Sequence, residues 1–238
     1  MLTRDALFGG DLLLEQSEDG YRFSMDAVFL AEMTKVLPND RIIDLGTGCG
    51  VVPLILAHRR RGHTWVGIEI QPELAELARR NVIANEWNAR IDILEMDIRE
   101  VRDHFAPGVF DLVVSNPPYR RLTSGRINSN PQRAVARHEL LASLEDVCAA
   151  AGFLLTDGGR MALVYPASRL AHLMVVVQRH GFAPKRLTCI YSHQQSPATL
   201  IHLECRKGGG EELQVGAPFY VYQADGQFSE AMQNLYRD

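Results

Sequence analysis

A glycine-rich loop that begins with an acid is the first segment of this chain whose residue types could do chemistry. It spans residues 44–50, with the sequence DLGTGCG, and stands between a strand-like run and a helix-like run. Glycines let a backbone turn sharply and approach a ligand, and the start of a helix offers unpaired N–H groups. A dinucleotide-binding loop would instead show G-x-G-x-x-G, which admits a pyrophosphate. Because the carboxylate of Asp44 would repel a pyrophosphate, this loop indicates a cationic ligand group, an amine or a sulfonium.

Two more acids follow the next two strand-like runs. Glu69 stands 19 residues after Gly50, near the end of the second run, where a carboxylate can accept hydrogen bonds from both hydroxyls of a ribose. Asp97 follows the third run and is placed to accept from an adenine amino group. Since acids after three successive strands suit a nucleoside with a cationic tail, the pattern predicts S-adenosylmethionine as the cofactor.

The motif Asn-Pro-Pro-Tyr follows the fourth strand-like run. Consecutive prolines hold the backbone extended and donate nothing, which leaves the carbonyl of Pro117 free to accept a hydrogen bond. The side-chain carbonyl of Asn116 is a second acceptor, and Tyr119 adds a flat face. Two acceptors beside a ring can receive an –NH₂ group on a planar molecule and expose its lone pair to a methyl donor. The predicted catalytic residues, acting by positioning and electrostatics without a strong general base, are Asn116, Pro117, Pro118 and Tyr119.

An alternation of short apolar runs and helical periodicities must position these motifs. Five strand-like runs are clear and two later ones are weaker: Arg41–Leu45, Thr64–Ile70, Ile91–Met96, Phe110–Ser115, Arg160–Tyr165, Leu187–Tyr191 and Thr199–Cys205. Helix-like stretches separate them: Asp26–Val36, Val51–Arg60, Pro72–Asn85, Arg137–Leu155 and Arg169–His180. Strands that are apolar on both faces and separated by helices predict a parallel sheet covered on both sides. We therefore expect a doubly wound α/β domain that ends in an antiparallel hairpin.

Two further segments bear on the substrate. The segment FSMDAVFLA, residues 23–31, is interpreted as a helix that closes over the cofactor, with Asp26 in its first turn. Residues 120–138 hold five arginines and no acid, and they directly follow the tyrosine expected to stack on the substrate. Arginine suits phosphate contact and base stacking together. The predicted RNA-contacting residues are Arg120, Arg121, Arg126 and Arg133.

Composition limits the class of protein. The 238 residues are 46% hydrophobic with a net charge of −4, which excludes a globally basic nucleic-acid binder. Residues 1–118 carry 12 Lys and Arg against 19 Asp and Glu, whereas residues 119–238 carry 13 against 10, so an anionic partner would meet the second half. The four cysteines form no C-x-x-C pair, and no apolar run approaches the ~20 residues of a membrane span. These features predict a reduced, cytoplasmic protein without a metal site or a membrane segment.

The motifs resemble three groups of enzymes, from the most general to the most specific. The glycine loop and its acids resemble class I S-adenosylmethionine-dependent methyltransferases, whose Rossmann-like sheet is seven-stranded and mostly parallel with an antiparallel C-terminal strand. The NPPY motif resembles the signature of methyltransferases acting on adenine or cytosine amino groups, guanine N2 or glutamine amides. With FSMDAVFLA, ARHE and FYVYQADGQFSEAM, the chain resembles the bacterial tRNA adenine-N6 methyltransferase family, which modifies the adenine 3′ of the anticodon in valine tRNA.

The resemblance implies one methyltransferase domain over residues 1–238, divided into an N-terminal segment and helix (1–38), a catalytic core (39–206) and a C-terminal extension (207–238). It also implies tRNA as the substrate, with no obligate protein partner. The predicted cofactor-binding residues are Asp26, Asp44, Gly46, Gly48, Gly50, Glu69, Ile70, Asp97, Ile98 and Asn116.

Two other substrates stay open, because NPPY specifies nitrogen chemistry better than it specifies the substrate. A protein glutamine methyltransferase of the release-factor type shares the motif, although such enzymes usually carry an N-terminal helical domain and only 25 residues precede Asp26. A guanine-N2 ribosomal RNA methyltransferase is the other. A degenerate fold that only binds RNA is disfavoured, since every expected acid and glycine is present. His138 and His193 receive no catalytic role.

Overall fold

A computed structural model describes residues 2–17, 25–59, 61–117 and 142–237. The strands in these ranges are β1 Leu2–Leu7, β2 Leu12–Ser17, β3 Arg41–Leu45, β4 Thr64–Glu69, β5 Ile91–Glu95, β6 Phe110–Ser115, β7 Leu155–Pro166, β8 Phe182–Tyr191, β9 Ala198–Lys207, β10 Gln214–Val215 and β11 Phe219–Tyr220. The α-helices are α1 Met25–Met33, α2 Val51–His58, α3 Pro72–Ala84, α4 Val101–His104, α5 Leu144–Leu154, α6 Leu170–Arg179 and α7 Glu230–Leu235. Within the same ranges, no helix has both the length and the apolar character needed to cross a membrane.

The main sheet has the strand order β10-β8-β9-β7-β6-β3-β4-β5, with β11 also paired to β8. Strands β5, β4, β3, β6 and β7 are parallel neighbours, whereas β9 runs antiparallel to both β7 and β8. The predicted class, a doubly wound and mostly parallel sheet with an antiparallel C-terminal strand, is confirmed. Seven long strands form the expected core of the sheet, and β10 and β11 add two residues each beside β8.

Two hydrophobic cores lie on opposite faces of this sheet, because successive side chains of a strand point to opposite sides. In β3, Ile42 belongs to the core shared with α1, α2 and α3, and Ile43 belongs to the core shared with α5 and α6. In β6, Val114 belongs to the first of these cores and Val113 to the second. All four side chains are at most 1% exposed, as expected for strands that helices cover on both faces.

An N-terminal β-hairpin that the sequence analysis missed precedes α1. β1 and β2 pair antiparallel from Leu7 and Leu12 outward, and the turn between them contains Gly9 with a φ of 64°. Leu12 and Leu14 of β2 are buried, and β2 packs against α2 and α3. The strand signal was weak because charged residues stand among the apolar ones in both strands.

The largest differences from the predicted element bounds are at two strand starts, since β7 begins at Leu155 and β8 at Phe182, each five residues earlier than predicted. β3 and β6 have the predicted bounds, but α1 ends at Met33 instead of Val36. α5 ends at Leu154, and β7 begins at once with Leu155, a residue that had been placed in the helix. Ser143 caps α5 by accepting a hydrogen bond from the N–H of Asp146, which sets the start of that helix. The part of the predicted helix before residue 142 lies outside the described residues.

Candidate cofactor-binding and catalytic site

The carboxyl ends of β6, β3, β4 and β5 form one edge of the sheet, where the predicted site residues lie. The chain proceeds from β3 to β4 and β5 on one side, and β6 and β7 lie on the other side of β3. Ligands of open α/β sheets bind at such a reversal, outside the carboxyl ends of the strands. Along this edge, Asn116, Asp44, Glu69 and Asp97 stand at or just beyond the ends of β6, β3, β4 and β5 in that order.

The glycine loop is held against β4 by its own backbone. The N–H groups of Gly46 and Thr47 both donate to the carbonyl of Ile68, each at 2.9 Å. Gly46, Gly48 and Gly50 have φ angles of 82°, 59° and 83°, a region in which side chains other than glycine are strained. The repeated glycines are therefore required by the course of the loop as well as by the approach of a ligand.

Asp44 is a buried acid whose pKa is raised. Asp44 is 3% exposed, and its Oδ2 is buried with no hydrogen-bond partner among the residues that the structure describes. Burial raises the pKa of Asp44 to about 7, with the nearby charge of Glu69 adding to the shift. The hydroxyl of the neighbouring Thr47 opposes the rise, and its own oxygen is buried without a hydrogen-bond partner within the described part of the chain. A carboxylate in this position is incomplete without a cationic or hydrogen-bond-donating ligand.

Gly46, two residues after Asp44, leaves open space at the glycine loop. A Cβ atom built on Gly46 meets nothing within 4 Å, whereas one built on Gly50 would lie 3.2 Å from Cβ of Ala78 on α3. The two glycines thus serve different purposes, since Gly50 allows the loop to pack against a helix and Gly46 faces free space. A buried carboxylate oxygen without a partner among the described residues, two positions before this glycine, suits the positively charged end of S-adenosylmethionine.

Glu69 is tied to the loop more firmly than the sequence analysis foresaw. Oε2 accepts from the N–H of Gly48 at 2.9 Å, and Oε1 accepts from the N–H of Gln71 at 2.9 Å and from its Nε2 at 3.3 Å. A carboxylate offers about four acceptor positions, so roughly one is left free on Oε2. For Glu69 to accept from both hydroxyls of a ribose, the side chain of Gln71 would have to turn away, and this side chain is exposed.

Asp97 caps the short 3₁₀-helix at Ile98–Glu100, with Oδ1 accepting from the N–H of Arg99 at 2.9 Å. The guanidinium of Arg99 also contacts both carboxylate oxygens and lowers the pKa of Asp97. The carboxylate is therefore charged and engaged by its own neighbour. Its role toward an adenine amino group remains a prediction. For that role the half-exposed Arg99 side chain would have to move away from at least one carboxylate oxygen of Asp97.

Asn116 is brought beside the glycine loop by a buried hydroxyl. Ser115 ends β6, is fully buried, and donates from Oγ to the carbonyl of Leu45 at 2.7 Å. One residue earlier, Val114 pairs with Asp44 across the parallel strands. Asn116 therefore follows β6 directly next to the start of the loop, and Pro117 after it is buried. The other predicted catalytic and RNA-contacting residues lie outside the described residues: Pro118, Tyr119, Arg120, Arg121, Arg126 and Arg133.

The remaining predicted cofactor residues lie near the same edge. Asp26 is in the first turn of α1 and is half-buried, and Ile70 follows β4 and is half-buried. Ile98 is 6% exposed and belongs to the core shared with α5 and α6, so only a small part of its surface can face a ligand. Contact of these residues with the cofactor remains a prediction.

The cysteine of the loop is not a nucleophile. Cys49 is 1% exposed, and burial raises the pKa of its thiol to about 11, so it stays protonated at neutral pH. All four cysteines are free thiols. Among the residues that the structure describes, no group of three or more His, Cys, Asp or Glu side chains is arranged to hold a metal ion.

Two buried polar residues that donate hydrogen bonds to carbonyls of residues 44–50 could not be recognised as such from the sequence. Ser115 reads as the last residue of a strand, and Asn81 as one more polar residue of an amphipathic helix. Both are fully buried. Asn81 could have been found from its spacing, since it stands on the same face of α3 as the apolar residues Leu74, Leu77 and Ala78, where a polar side chain needs a specific partner.

Comparison with known proteins places the chain among methyltransferases. Residues 24–180 match the family model described as the methyltransferase small domain. A tRNA1(Val) (adenine(37)-N6)-methyltransferase of Porphyromonas gingivalis is 35% identical over 181 residues, covering 74% of this chain and 70% of that protein. The enzyme of the same name from Aeromonas salmonicida is 33% identical over 164 residues, covering 68% of this chain and 67% of that protein.

Solved structures share the fold at lower identity. A predicted O-methyltransferase from Agrobacterium tumefaciens aligns with a TM-score of 0.71 and 23% identity, over 89% of this chain and 95% of that one. TYW2 of Pyrococcus horikoshii, solved in complex with MeSAdo, aligns with a TM-score of 0.61 and 14% identity, over 87% and 72%. At these identities the likeness concerns the fold alone. The sequence match over 24–180 goes further, and the chain therefore belongs to the methyltransferase small domain family.

Proposed function

We propose that this protein transfers the methyl group of S-adenosylmethionine to the exocyclic amino nitrogen of an adenine in tRNA, near the anticodon. The observation that carries the proposal is the position of Asn116, joined to the glycine loop through the hydrogen bond from Ser115 to Leu45. This arrangement supports an amino-group receptor at Asn116 next to a cationic-ligand site at the glycine loop. The relatives named as tRNA adenine-N6 methyltransferases, at 33% and 35% identity, support the choice of substrate.

The donor half of the site is built from the ends of β3, β4 and β5. S-adenosylmethionine supplies an electrophilic methyl group on a positively charged sulfonium. The buried, partnerless oxygen of Asp44 would face the charged end of the cofactor, and the free acceptor position of Glu69 would take a ribose hydroxyl. Asp97 with Ile70 and Ile98 would receive the adenine. The open space at Gly46 would let the cofactor approach the backbone of the loop.

The acceptor half uses the backbone and side chain after β6. The side-chain oxygen of Asn116 and the carbonyl of Pro117 would accept the two N–H groups of the target amine, with Tyr119 stacking on the base. Accepting both N–H groups turns the nitrogen lone pair toward the methyl donor, so the gain is in positioning and electrostatics. The target base must leave its stack to enter the pocket, and this costs least in a single-stranded loop.

The tRNA itself would be held by the arginine-rich segment that follows NPPY. Arg120, Arg121, Arg126 and Arg133 supply positive charge in a chain whose net charge is −4. Phosphate contacts of this kind make binding salt-dependent. We place the reaction in the cytoplasm, where tRNA is found.

The test uses the full chain, labelled methyl donor and total tRNA from a strain that lacks this gene. We expect label in tRNA, and N6-methyladenosine as the modified nucleoside in mass spectrometry. Asn116→Ala should lower methyl transfer about 100-fold or more and leave donor affinity near the wild-type value. Asn88→Ala, which changes an exposed asparagine in the turn before β5, is the matched control and should have full activity.

Other outcomes would change the proposal in defined ways. N2-methylguanosine would make the enzyme a guanine methyltransferase, and label in protein but not in RNA would indicate a glutamine substrate. Equal loss of methyl transfer and donor binding in Asn116→Ala would mean that Asn116 is structural.

A further inference from the structure

The N-terminal hairpin is docked on α3 by two asparagines one helical turn apart. Asn85 accepts from the N–H of Leu13 at 3.0 Å and donates to its carbonyl at 2.7 Å. Asn81 makes the same two hydrogen bonds with Glu15, accepting from its N–H at 2.8 Å and donating to its carbonyl at 3.1 Å. Each side-chain amide thus bonds an N–H and a C=O group on the edge of β2 that does not face β1, as a residue of a neighbouring strand would. Without the two asparagines, these backbone groups would lack these partners.

Asn81 makes one contact that Asn85 does not. Its Nδ2 also donates to the carbonyl of Cys49 in the glycine loop at 3.0 Å, whereas the additional bond of Asn85 goes to the carbonyl of Asn81 at 2.8 Å. Asn81 is 0% exposed. Both of its N–H donors and its oxygen are used, so one buried side chain joins α3, the hairpin and the loop.

The contact with Cys49 falls where the loop is least constrained by its own residue types. Cys49 stands between Gly48 and Gly50, and glycine adopts positive and negative φ with similar ease. The peptide group between Cys49 and Gly50 is held at its N–H by the carbonyl of Thr47, at 3.0 Å, and at its C=O by Asn81. Without Asn81 this peptide could rotate at little steric cost, and a buried carbonyl would lose its partner.

We propose that Asn81 is a positioning residue of the cofactor site, which fixes the Cys49–Gly50 peptide and couples the N-terminal hairpin to donor binding. The inference rests on the proposed function, because the ligand of the loop is taken to be S-adenosylmethionine. A loop that is held in its bound conformation binds its ligand more tightly, since less ordering remains to be done on binding. Loss of Asn81 should therefore act on the affinity for the donor and little on the chemical step.

The test compares Asn81→Ala with Asn85→Ala in the full chain. Both variants lose the two hydrogen bonds that hold one residue of β2, so both should lower Tm. Asn81→Ala should lower it further, because Asn81 is fully buried and also holds the Cys49 carbonyl. Titration calorimetry with S-adenosylmethionine, without RNA, should show a Kd that rises about three- to tenfold in Asn81→Ala, the effect of one ordinary hydrogen bond. In Asn85→Ala, Kd should change less than twofold. With tRNA, KM for the donor should rise in Asn81→Ala while kcat stays close to the wild-type value.

A second measurement does not depend on the cofactor. Amide hydrogen exchange of Gly50 in the ligand-free protein should be faster in Asn81→Ala than in Asn85→Ala. Should Asn81→Ala fail to fold, Asn81→Ser replaces it with the same expectations.

Equal Kd values for wild type and Asn81→Ala, or the same change in both asparagine variants, would overturn the inference and leave these residues as hairpin contacts only. Absence of tRNA methylation with intact donor binding would contradict the proposed function alone. If the wild-type protein bound no donor, the exchange of Gly50 would still decide whether Asn81 holds the loop.

Discussion

The pKa of Asp44 leads to a specific pH dependence of cofactor binding. Burial raises this pKa to about 7, and a cationic ligand binds the ionised carboxylate in preference to the neutral acid. Raising the pH from 6 to 8 takes the ionised fraction from about one tenth to about nine tenths. We therefore expect the affinity for S-adenosylmethionine to rise about tenfold over this interval. At pH 7, binding should release about half a proton per site.

Isothermal titration calorimetry measures both quantities. The affinity is followed from pH 6 to 8, and the proton release is obtained from the dependence of the binding enthalpy on the ionisation enthalpy of the buffer. Asp44→Asn is the control, because it keeps the shape of the side chain and cannot ionise. The ratio of the two profiles removes the titration of the ligand's own α-amino group, whose pKa is about 7.7–8.0. The variant should bind more weakly, and its ratio to wild type should depend on pH.

The same shift has an opposite consequence for stability. A folded-state pKa above the unfolded value means that the folded protein holds the proton more tightly, so this contribution is complete below about pH 3.8 and is lost as the pH rises through about 7. At 1.36 kcal/mol per unit of pKa, the loss above pH 7 is at most about 4 kcal/mol. Asp44→Asn should accordingly raise Tm at pH 8. A wild-type affinity that is flat between pH 6 and 8, or a variant that binds the donor as tightly as wild type, would refute this account of Asp44.

Two other predictions concern the loop and the sheet. Gly46→Ala and Gly181→Ala each place a methyl group at a φ near 80° with nothing within 4 Å, so each should cost about 1 kcal/mol of stability. Only Gly46→Ala should also weaken donor binding. Equal donor affinity in both variants would show that no ligand enters the space at Gly46. His202 is fully buried, and its Nε2 lies 3.1 Å from the Thr34 hydroxyl oxygen. Burial lowers the pKa of His202 to about 3. Below about pH 6.5 the unfolded chain takes up a proton that the folded protein does not, so His202 lowers the stability of the folded protein there. Between pH 6.5 and 4.5 this term should reach about 2.7 kcal/mol, and thermal unfolding of His202→Asn should show a correspondingly smaller loss; identical pH profiles would contradict it.

The parallel part of the fold could be predicted because its strands repeat one pattern. Residues such as Ile42, Ile43, Val113 and Val114 are apolar at consecutive positions, as strands between two helical layers must be. The hairpin at the N-terminus could not, since a short strand with charged residues on its outer face has no such pattern. Its edge is completed by side chains of α3 that are 66 and 72 residues away in the chain.

The chemistry of the site was largely a property of the sequence, because acids and prolines keep their chemical character wherever the chain places them. Asp44, Glu69, Asp97 and Asn116 could be assigned to one sheet edge once each was seen to follow a strand, since parallel strands end on the same side. The tertiary structure alone determined which hydrogen-bond and ion-pair partners each of these side chains has. It leaves an oxygen of Asp44 without a partner, binds Glu69 to the loop, and occupies Asp97 with Arg99.

The structure alone also showed the hydrogen bonds of Ser115 and Asn81, each of which donates to a carbonyl of another segment. Local sequence determines which side chain stands after which strand, because strand and helix patterns are short-ranged. Burial and hydrogen-bond partners arise between segments far apart in the chain. They set the pKa of Asp44 and the orientation of the loop, and no pattern of neighbouring residues encodes them.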